Sequence, residues 1–189
     1  MLGRCCASPI LHDRAPPREA VPAAEWRALL HPTLAGHDMG LLSEAGLPAV
    51  ADPGAALVQA AHEAGVPVLP LAGASSLLLA LAASGLNGQS FAFVGYLPQD
   101  PGTRATRIKE LEGLSRRQQQ TQLMIETPYR NTALLAALLA ALQPGTRVSV
   151  ACGLTLAGGW CRTETVARWR QQPPQMPERW PAVFALLAS

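Results

Sequence analysis

The sequence predicts an α/β fold in two domains, with a parallel sheet in residues 1–86 and a mixed sheet in residues 87–189. Three observations support this prediction. Short apolar runs alternate with helix-like segments, as is typical of βαβ units. Loops rich in glycine and proline precede two of the helices, at 52–54 and 69–75. The polar turn Asn87-Gly88-Gln89 then separates this pattern from a second series of strands.

The N-terminal domain has a weakly patterned start. Residues 1–25 are rich in proline and charge and show no helical or strand period, which predicts loop or disorder. Asp52 and Pro53 are expected to begin a helix, with Asp52 capping its free N–H groups. The predicted elements of this domain are a helix over 24–34, a strand over 39–42, a helix over 55–64, a strand over 66–71 and a buried helix from Ser75.

The C-terminal domain contains more strands and a strongly basic helix. Ile108, Leu111 and Leu114 recur at helical spacing and predict the buried side of that helix. Its arginines and lysine are expected to face solvent. The predicted strands are 91–95, 123–126, 147–152 and 182–188, and the predicted helices are 103–118, one from Tyr129 or Asn131 to 142, and 165–171.

Composition limits the class of protein. Hydrophobic residues make up 49% of the 189 residues and charged residues 15%, which predicts a globular core rather than a disordered chain. The net charge of +2 neither requires nor excludes nucleic acid. No apolar run approaches the ~20 residues of a membrane-spanning helix. The four cysteines and four histidines lack zinc-ligand spacing, so we expect no metal, and a cytoplasmic protein with free thiols.

Three segments carry the chemical signal. LLSEAGLPAVADPG spans residues 41–54 and LPLAGASS spans 69–76, and each is an apolar run that breaks into a turn before a helix. Such loops place backbone N–H groups beside a ligand at the carboxyl ends of parallel strands. The third, MIETPYRN over 124–131, places a carboxylate and a hydroxyl at the end of a predicted buried strand.

These segments, with VGYLP at 94–98, resemble the tetrapyrrole-methylase superfamily of S-adenosylmethionine-dependent methyltransferases. The branch that the chain is most similar to is the ribosomal RNA small-subunit methyltransferase I family. The resemblance covers about residues 35–188 and implies a two-domain tetrapyrrole-methylase-like fold with the cofactor between the domains. The family's first strand and its Pro/Gly loop have no match in residues 1–25. The N-terminal sheet is therefore expected to be reduced, with one wall of the cleft missing.

The resemblance also implies which residues form the site. Glu126 is the candidate catalytic residue, either accepting from the cofactor ribose or orienting a substrate hydroxyl. The residues implied in cofactor binding are Ser43, Ala45, Pro48, Ser75, Ser76, Thr127 and Leu154. The chain departs from the family in several places: Ala72 replaces a proline, Tyr129 a histidine, and Gly153 and Leu156 two charged residues.

Purely structural interpretations remain open for each motif. The first loop is also an ordinary strand-to-helix turn, Ser75 and Ser76 are also a helix cap, and Glu126 is also a capping carboxylate. A basic helix such as 103–118 either contacts RNA phosphates or is only a solvated face. The three C-terminal tryptophans are interpreted as packing residues.

The function implied by the resemblance is methyl transfer from S-adenosylmethionine to a cytidine ribose 2′-oxygen of small-subunit ribosomal RNA. The implied partner is ribosomal RNA or the small ribosomal subunit, with no membrane, and a homodimer is compatible with the sequence. Two alternatives stay open. One is methylation of a tetrapyrrole or another small molecule, and the other is a truncated chain without catalytic activity.

Overall fold

A computed structural model describes residues 23–43 and 46–189, and it divides the chain into two compact units. Unit 1 is Met1–Ser75 and unit 2 is Ser76–Ser189. Within the part of unit 1 that the structure describes, the helices are α1 (Ala23–Leu29), α2 (His31–Leu34) and α3 (Ala55–Glu63). No helix among the described residues is long and apolar enough to cross a membrane.

Unit 1 is built around the contact between α1 and α3. Leu30, Leu57, Ala60 and Ala61 are buried together at this contact. Small residues on α3 permit close packing, and Trp26 with other apolar side chains covers the cluster at its margin. The predicted helix over 24–34 is therefore present, divided into two short helices. Gly36, with φ +88°, follows its end, where only a residue that tolerates left-handed backbone fits well.

The two strands predicted in unit 1 do not form among its described residues. Leu41 makes a single bridge, and residues 66–71 have no strand pairing. Leu69 and Leu71 are 82% and 86% exposed, so this apolar segment does not lie in a sheet. Pro67 and Pro70 remove two backbone donors from it, which weakens any ladder that the segment could join.

The predicted cap of α3 is also wrong. Gly54 occupies the N-cap position with φ +128°, and no side chain there bonds the first turn. Asp52 instead accepts a hydrogen bond from Ser43 Oγ to its Oδ2, at 2.5 Å. The carboxylate therefore closes the preceding loop and does not stabilise the helix terminus.

Unit 2 contains a mixed sheet, as the sequence predicts, and it has five strands where the sequence predicts four. The strand order is β1-β2-β5-β3-β4, with β1 parallel to β2 and the other neighbouring pairs antiparallel. The strands are β1 (Phe91–Tyr96), β2 (Thr121–Glu126), β3 (Arg147–Cys152), β4 (Trp160–Thr165) and β5 (Ala182–Leu187). Only β4 is absent from the sequence prediction.

Helices cover both faces of this sheet. Alternate residues of the inner strands face either α4 (Ser76–Ser84) on one side or three helices on the other, as the two-residue period of a strand requires. Ala151 and Ala185 pack against Leu77 and Leu81 of α4, whereas Phe184 packs with the helices of the opposite face. The helices are α4 (Ser76–Ser84), α5 (Pro101–Gln118), α6 (Asn131–Ala141) and α7 (Val166–Gln171), with a 3₁₀ turn at Pro128–Arg130.

The position of α4 explains why the compact units differ from the predicted domains. The sequence assigns the Ser75 helix to an N-terminal domain ending at residue 86. In the structure α4 packs on β3, β4 and β5, and Thr163 Oγ1 donates to the carbonyl of Ser84 at its end, at 2.7 Å. Alanine and serine on the sheet side allow this close approach. The division at 86/87 stays a prediction about the family's domains.

Two carboxylates organise α5. Asp100 accepts from Thr103 N at 2.8 Å and from Thr103 Oγ1 at 2.7 Å, so it caps the helix. These hydrogen bonds hold the pKa of Asp100 below its ordinary value. Glu112, which is buried, accepts from the backbone N–H of Gln143 and from the hydroxyl of Thr146, and thereby ties α5 to the turn after α6.

Candidate functional site

The strand directions of unit 2 bring three of the predicted site residues to one edge of the sheet. Glu126, Ala182, Cys152 and Trp160 lie in one row across β2, β5, β3 and β4. The carboxyl ends of β2 and β3 therefore meet at the same edge, about 10 Å apart with one strand between them. Thr127 follows the first of these strand ends and Leu154 the second. No contact joins Glu126 to Leu154, because β5 separates their strands.

Glu126 is buried and held by its own loop. Its Oε1 accepts from the backbone N–H of Thr127 at 2.8 Å and from Thr127 Oγ1 at 3.2 Å. Arg130 Nε lies 3.6 Å from the same oxygen. All three contacts use Oε1. The carboxylate is therefore fixed in orientation through one oxygen, and no described residue forms a hydrogen bond or ion pair with Oε2.

The hydroxyl of Thr127 is engaged within the same cluster. It donates to Glu126 and accepts from Arg130 Nε at 3.1 Å. Its proton is thus used, and only one lone pair is left. A hydroxyl in this position fixes the carboxylate and the guanidinium relative to each other.

Tyr129 and Arg130 project from the 3₁₀ turn that follows this strand end. The Tyr129 side chain is 73% exposed, and the Arg130 guanidinium carbon lies 5.3 Å from the centre of its ring. This distance is within the range of a cation–π contact. The sequence identifies both residues in its third motif, although it does not predict the contact between their side chains.

The loop after β3 is shaped by a tryptophan. A β-carbon on Gly153 would overlap the ring of Trp180, and Gly153 has φ +60°. Asn131 Nδ2 donates to the carbonyl of Trp180 at 2.9 Å, which connects the start of α6 to this packing. Leu154 is half-buried and packs on the α4 side of the sheet. The sequence treats Trp180 only as a packing residue and does not connect it with this loop.

Two buried polar features lie at this edge. Asn131 is fully buried, and its Oδ1 has no hydrogen-bond partner within the part of the chain that the structure describes. Cys152 ends β3, and burial raises the pKa of its thiol, so the thiol stays protonated and is a poor nucleophile. Among the residues that the structure describes, no group of three histidine, cysteine, aspartate or glutamate side chains could hold a metal ion.

The first loop motif forms a tight turn within unit 1. Ala49 and Ala51 have φ of +65° and +60°, in the left-handed region that non-glycine residues avoid. Pro48 is half-buried, and Ser43 is held by Asp52. Backbone strain of this kind costs about 1–3 kcal/mol per residue and is often found at ligand-binding sites. Ala45, another predicted site residue, lies outside the described residues.

The second loop motif approaches the first within unit 1. A β-carbon on Gly73 would lie 3.3 Å from Leu47 Cδ2, so the two loops run beside each other. Ser75 ends unit 1 as a buried residue, whereas Ser76 begins α4 in unit 2 and is exposed. Ser43, Pro48 and Ser75 therefore belong to unit 1, and the remaining described site residues belong to unit 2.

A model of one protein family matches most of the chain. The match is to the tetrapyrrole (corrin/porphyrin) methylases and covers residues 7–168. The chain belongs to this family. The resemblance found in the sequence is thus confirmed, and the α/β fold with a mixed sheet agrees with it.

Relatives of this tetrapyrrole methylase are curated as ribosomal RNA small subunit methyltransferase I. The protein from Mesorhizobium japonicum is 37% identical over 131 residues, covering 69% of this chain and 43% of its own length. The protein from Vibrio cholerae is 35% identical over 145 residues, covering 77% of this chain and 47% of its own length. The chain spans less than half the length of these relatives.

Solved structures show the same fold at lower identity. The methyltransferase CobJ superposes with a TM-score of 0.57 at 19% identity, covering 90% of this chain and 77% of its own. A uroporphyrin-III C-methyltransferase from Thermus thermophilus, complexed with S-adenyl homocysteine, gives a TM-score of 0.50 at 19% identity and covers 87% and 72%. Both likenesses establish the tetrapyrrole-methylase fold for this chain.

Proposed function

We propose that this chain is an S-adenosylmethionine-dependent methyltransferase that acts on small-subunit ribosomal RNA at a cytidine ribose 2′-oxygen. The observation that carries the proposal is the meeting of the β2 and β3 ends at one edge, with Glu126 fixed there through one oxygen. Family membership and the names of the curated relatives support it.

The cofactor contributes an electrophilic methyl group on a sulfonium. The residues proposed to bind it directly are Ser43, Ala45, Pro48, Ser75, Ser76 and Leu154, and Thr127 is proposed to contribute through its hydrogen bonds to Glu126. The chemistry of the edge in unit 2 fits such a ligand in two respects. Glu126 Oε2 offers an acceptor for a ribose hydroxyl, and Leu154 offers an apolar surface at the end of β3, with β5 lying between the two strands.

Asn131 adds a further polar atom to this fit. Among the described residues its Oδ1 is a buried acceptor without a partner, and such an atom costs about 1–3 kcal/mol until it is satisfied. Because Asn131 is fully buried, a donor for it must be an ordered water or a group that enters behind the edge. We assign Thr127 to positioning rather than direct binding, because its hydroxyl already bonds Glu126 and Arg130.

Transfer to a ribose hydroxyl requires alignment more than covalent chemistry by the protein. The 2′-oxygen attacks the methyl carbon in line with the departing sulfur, and the hydroxyl proton passes to an acceptor. Glu126 orients the cofactor or the hydroxyl through Oε2. RNA is attracted by unit 2, which carries 11 lysine and arginine residues against 6 aspartate and glutamate residues.

The experiment that tests the proposal uses the full chain with radiolabelled S-adenosylmethionine and small-subunit ribosomal RNA. We expect label in the RNA, at a site that becomes resistant to alkaline cleavage, because a 2′-O-methyl group removes the attacking hydroxyl. Label that leaves alkaline cleavage unchanged would indicate a base methylase. Label in a tetrapyrrole substrate and none in RNA would support the small-molecule alternative.

A further inference from the structure

The most exposed aromatic side chain among the described residues lies beside the candidate site. Tyr129 is 73% exposed, compared with 48% for Tyr96 and 41% for Phe91. It follows Glu126 by only three positions, on a 3₁₀ turn that Pro128 begins. The Tyr129 ring lies in water at the carboxyl edge of the sheet, whereas the buried aromatic rings of unit 2 pack in its core.

The Tyr129 ring does not stand alone. The guanidinium of Arg130 lies 5.3 Å from the ring centre and is itself held by Thr127 Oγ1 at 3.1 Å. Glu126 Oε1 is 3.6 Å from Arg130 Nε and adds a charge partner. The cation is thus fixed from the protein side. The 3₁₀ turn therefore exposes an aromatic ring and a planar cation side by side, next to the carboxylate of Glu126.

An exposed aromatic ring beside a guanidinium is typical of surfaces that bind nucleic acid bases. Unpaired nucleic acid bases stack on aromatic rings and on guanidinium planes, and each stacked base contributes about 1–3 kcal/mol. Tyrosine has few rotatable bonds, so holding it against a ligand costs little conformational entropy. The excess of basic residues in unit 2 attracts the phosphates of the same strand.

We propose that Tyr129 and Arg130 form a stacking platform for one unpaired base of the RNA, next to Glu126. This inference rests on the proposed function, since it names where the RNA substrate is contacted. Bases inside a duplex cannot use the platform, because both of their faces are already stacked. The platform therefore selects single-stranded or flipped-out nucleotides at this edge of the sheet.

The test measures binding of a fluorescent single-stranded RNA, and of the same strand annealed to its complement, to the full chain. For the single strand, Tyr129→Ala is expected to weaken binding about tenfold, or about 1.4 kcal/mol, whereas Tyr129→Phe stays within about twofold because the ring is kept. For the duplex, both variants are expected to bind like the unmodified chain. Phe91→Ala is the matched control. It removes an exposed aromatic ring at the amino end of β1, away from the carboxyl edge that carries Glu126, and should leave the affinities for single strand and duplex unchanged.

Three results would overturn the platform. They are unchanged single-strand affinity in Tyr129→Ala, equal losses for single strand and duplex, and an equal loss in Phe91→Ala. Methyl transfer is measured on the same samples. RNA binding that depends on Tyr129 without any methyl transfer would overturn the proposed function and keep the platform. Methyl transfer together with an RNA affinity that Tyr129→Ala leaves unchanged would overturn the platform and keep the proposed function.

Discussion

Trp180 packs its indole ring directly over Gly153, leaving no room for a β-carbon. Gly153 N donates to the carbonyl of Pro181 at 2.9 Å, so the backbone is tied to the chain beside the tryptophan as well. This contact fixes the exit of β3, from which Leu154 projects. Glycine is required at position 153 because its φ of +60° disfavours other residues and because the Trp180 ring occupies the place of a β-carbon.

Gly153→Ala is expected to destabilise unit 2 by about 2–4 kcal/mol, since overpacking and left-handed strain add together. Gly158→Ala is the matched control. It has φ +85°, but its added β-carbon would lie at an ordinary 3.4 Å from Trp180. We expect it to cost only about 1–2 kcal/mol. Denaturant unfolding monitored by tryptophan fluorescence measures both, and equal losses would mean that the Trp180 contact is not tight.

The strained turn in unit 1 gives a prediction of the opposite sign. Ala51 is exposed with φ +60°, so Ala51→Gly should stabilise unit 1 by about 0.5–1 kcal/mol. Ala56→Gly, at an exposed position of α3, should destabilise it by about the same amount. Hydrogen exchange of the α3 amides reports both changes. Destabilisation by Ala51→Gly would show that the left-handed conformation is not strained.

The sequence predicts most of unit 2 because four of its five strands and all of its helices have clear local sequence patterns. Ile108 and Leu111 show the helical period of α5, and the apolar run 182–188 gives a central strand that is buried on both faces. β4 is missed for a physical reason. It is an edge strand of half-buried residues, WCRTET, and so has neither a continuous apolar run nor a strong alternation of burial.

Unit 1 shows where local signals fail. The apolar run 66–71 predicts a strand, with Pro67 and Pro70 favouring an edge or the ends of a ladder. A strand forms only if a neighbouring strand pairs with it, and no local pattern indicates that neighbour. The site shows the same limit. The motif 124–131 predicts Glu126 and Thr127 at a strand end, whereas the bond between Asn131 and Trp180 joins residues distant in the chain.

The cap of α5 predicts a pH dependence. The Thr103 hydrogen bonds lower the pKa of Asp100 in the folded state relative to the unfolded chain. Its stabilising contribution is therefore complete above the unfolded pKa and is lost as the pH falls through the folded one. An NMR titration of Asp100 should show the lowered pKa. In Asp100→Asn, which keeps an acceptor oxygen but does not titrate, this acid-dependent loss should disappear.

Cofactor affinity of this chain is expected to be weak. Leu69 and Leu71 belong to the second loop motif and are largely exposed, so no sheet holds this segment rigid. Ordering it on binding costs conformational entropy of about 1–2 kcal/mol per residue. Calorimetry with S-adenosylmethionine should give a Kd well above the micromolar range, and about −8 kcal/mol of binding free energy would contradict this prediction.

Two buried carboxylates of unit 2 allow the role of Glu126 to be separated from a structural one. Glu126→Gln keeps an acceptor for the Thr127 N–H but removes the charge that faces Arg130 and the proposed ligand. We expect methyl transfer at saturating cofactor to fall at least tenfold, about 1.4 kcal/mol in the transition state. Stability should change by less than about 1 kcal/mol, because Arg130 is partly exposed and water can solvate it.

Glu112→Ala is the matched comparison for that experiment. Glu112 is buried to a similar degree but lies away from the carboxyl edge, where it accepts from Gln143 N and the Thr146 hydroxyl. Its loss leaves two donors unsatisfied, so stability should fall by about 2–4 kcal/mol while the folded fraction keeps its methyl-transfer rate. If Glu126→Gln instead lowers the melting temperature and keeps activity, Glu126 acts only as a structural partner of Thr127 and Arg130, and the catalytic assignment is wrong.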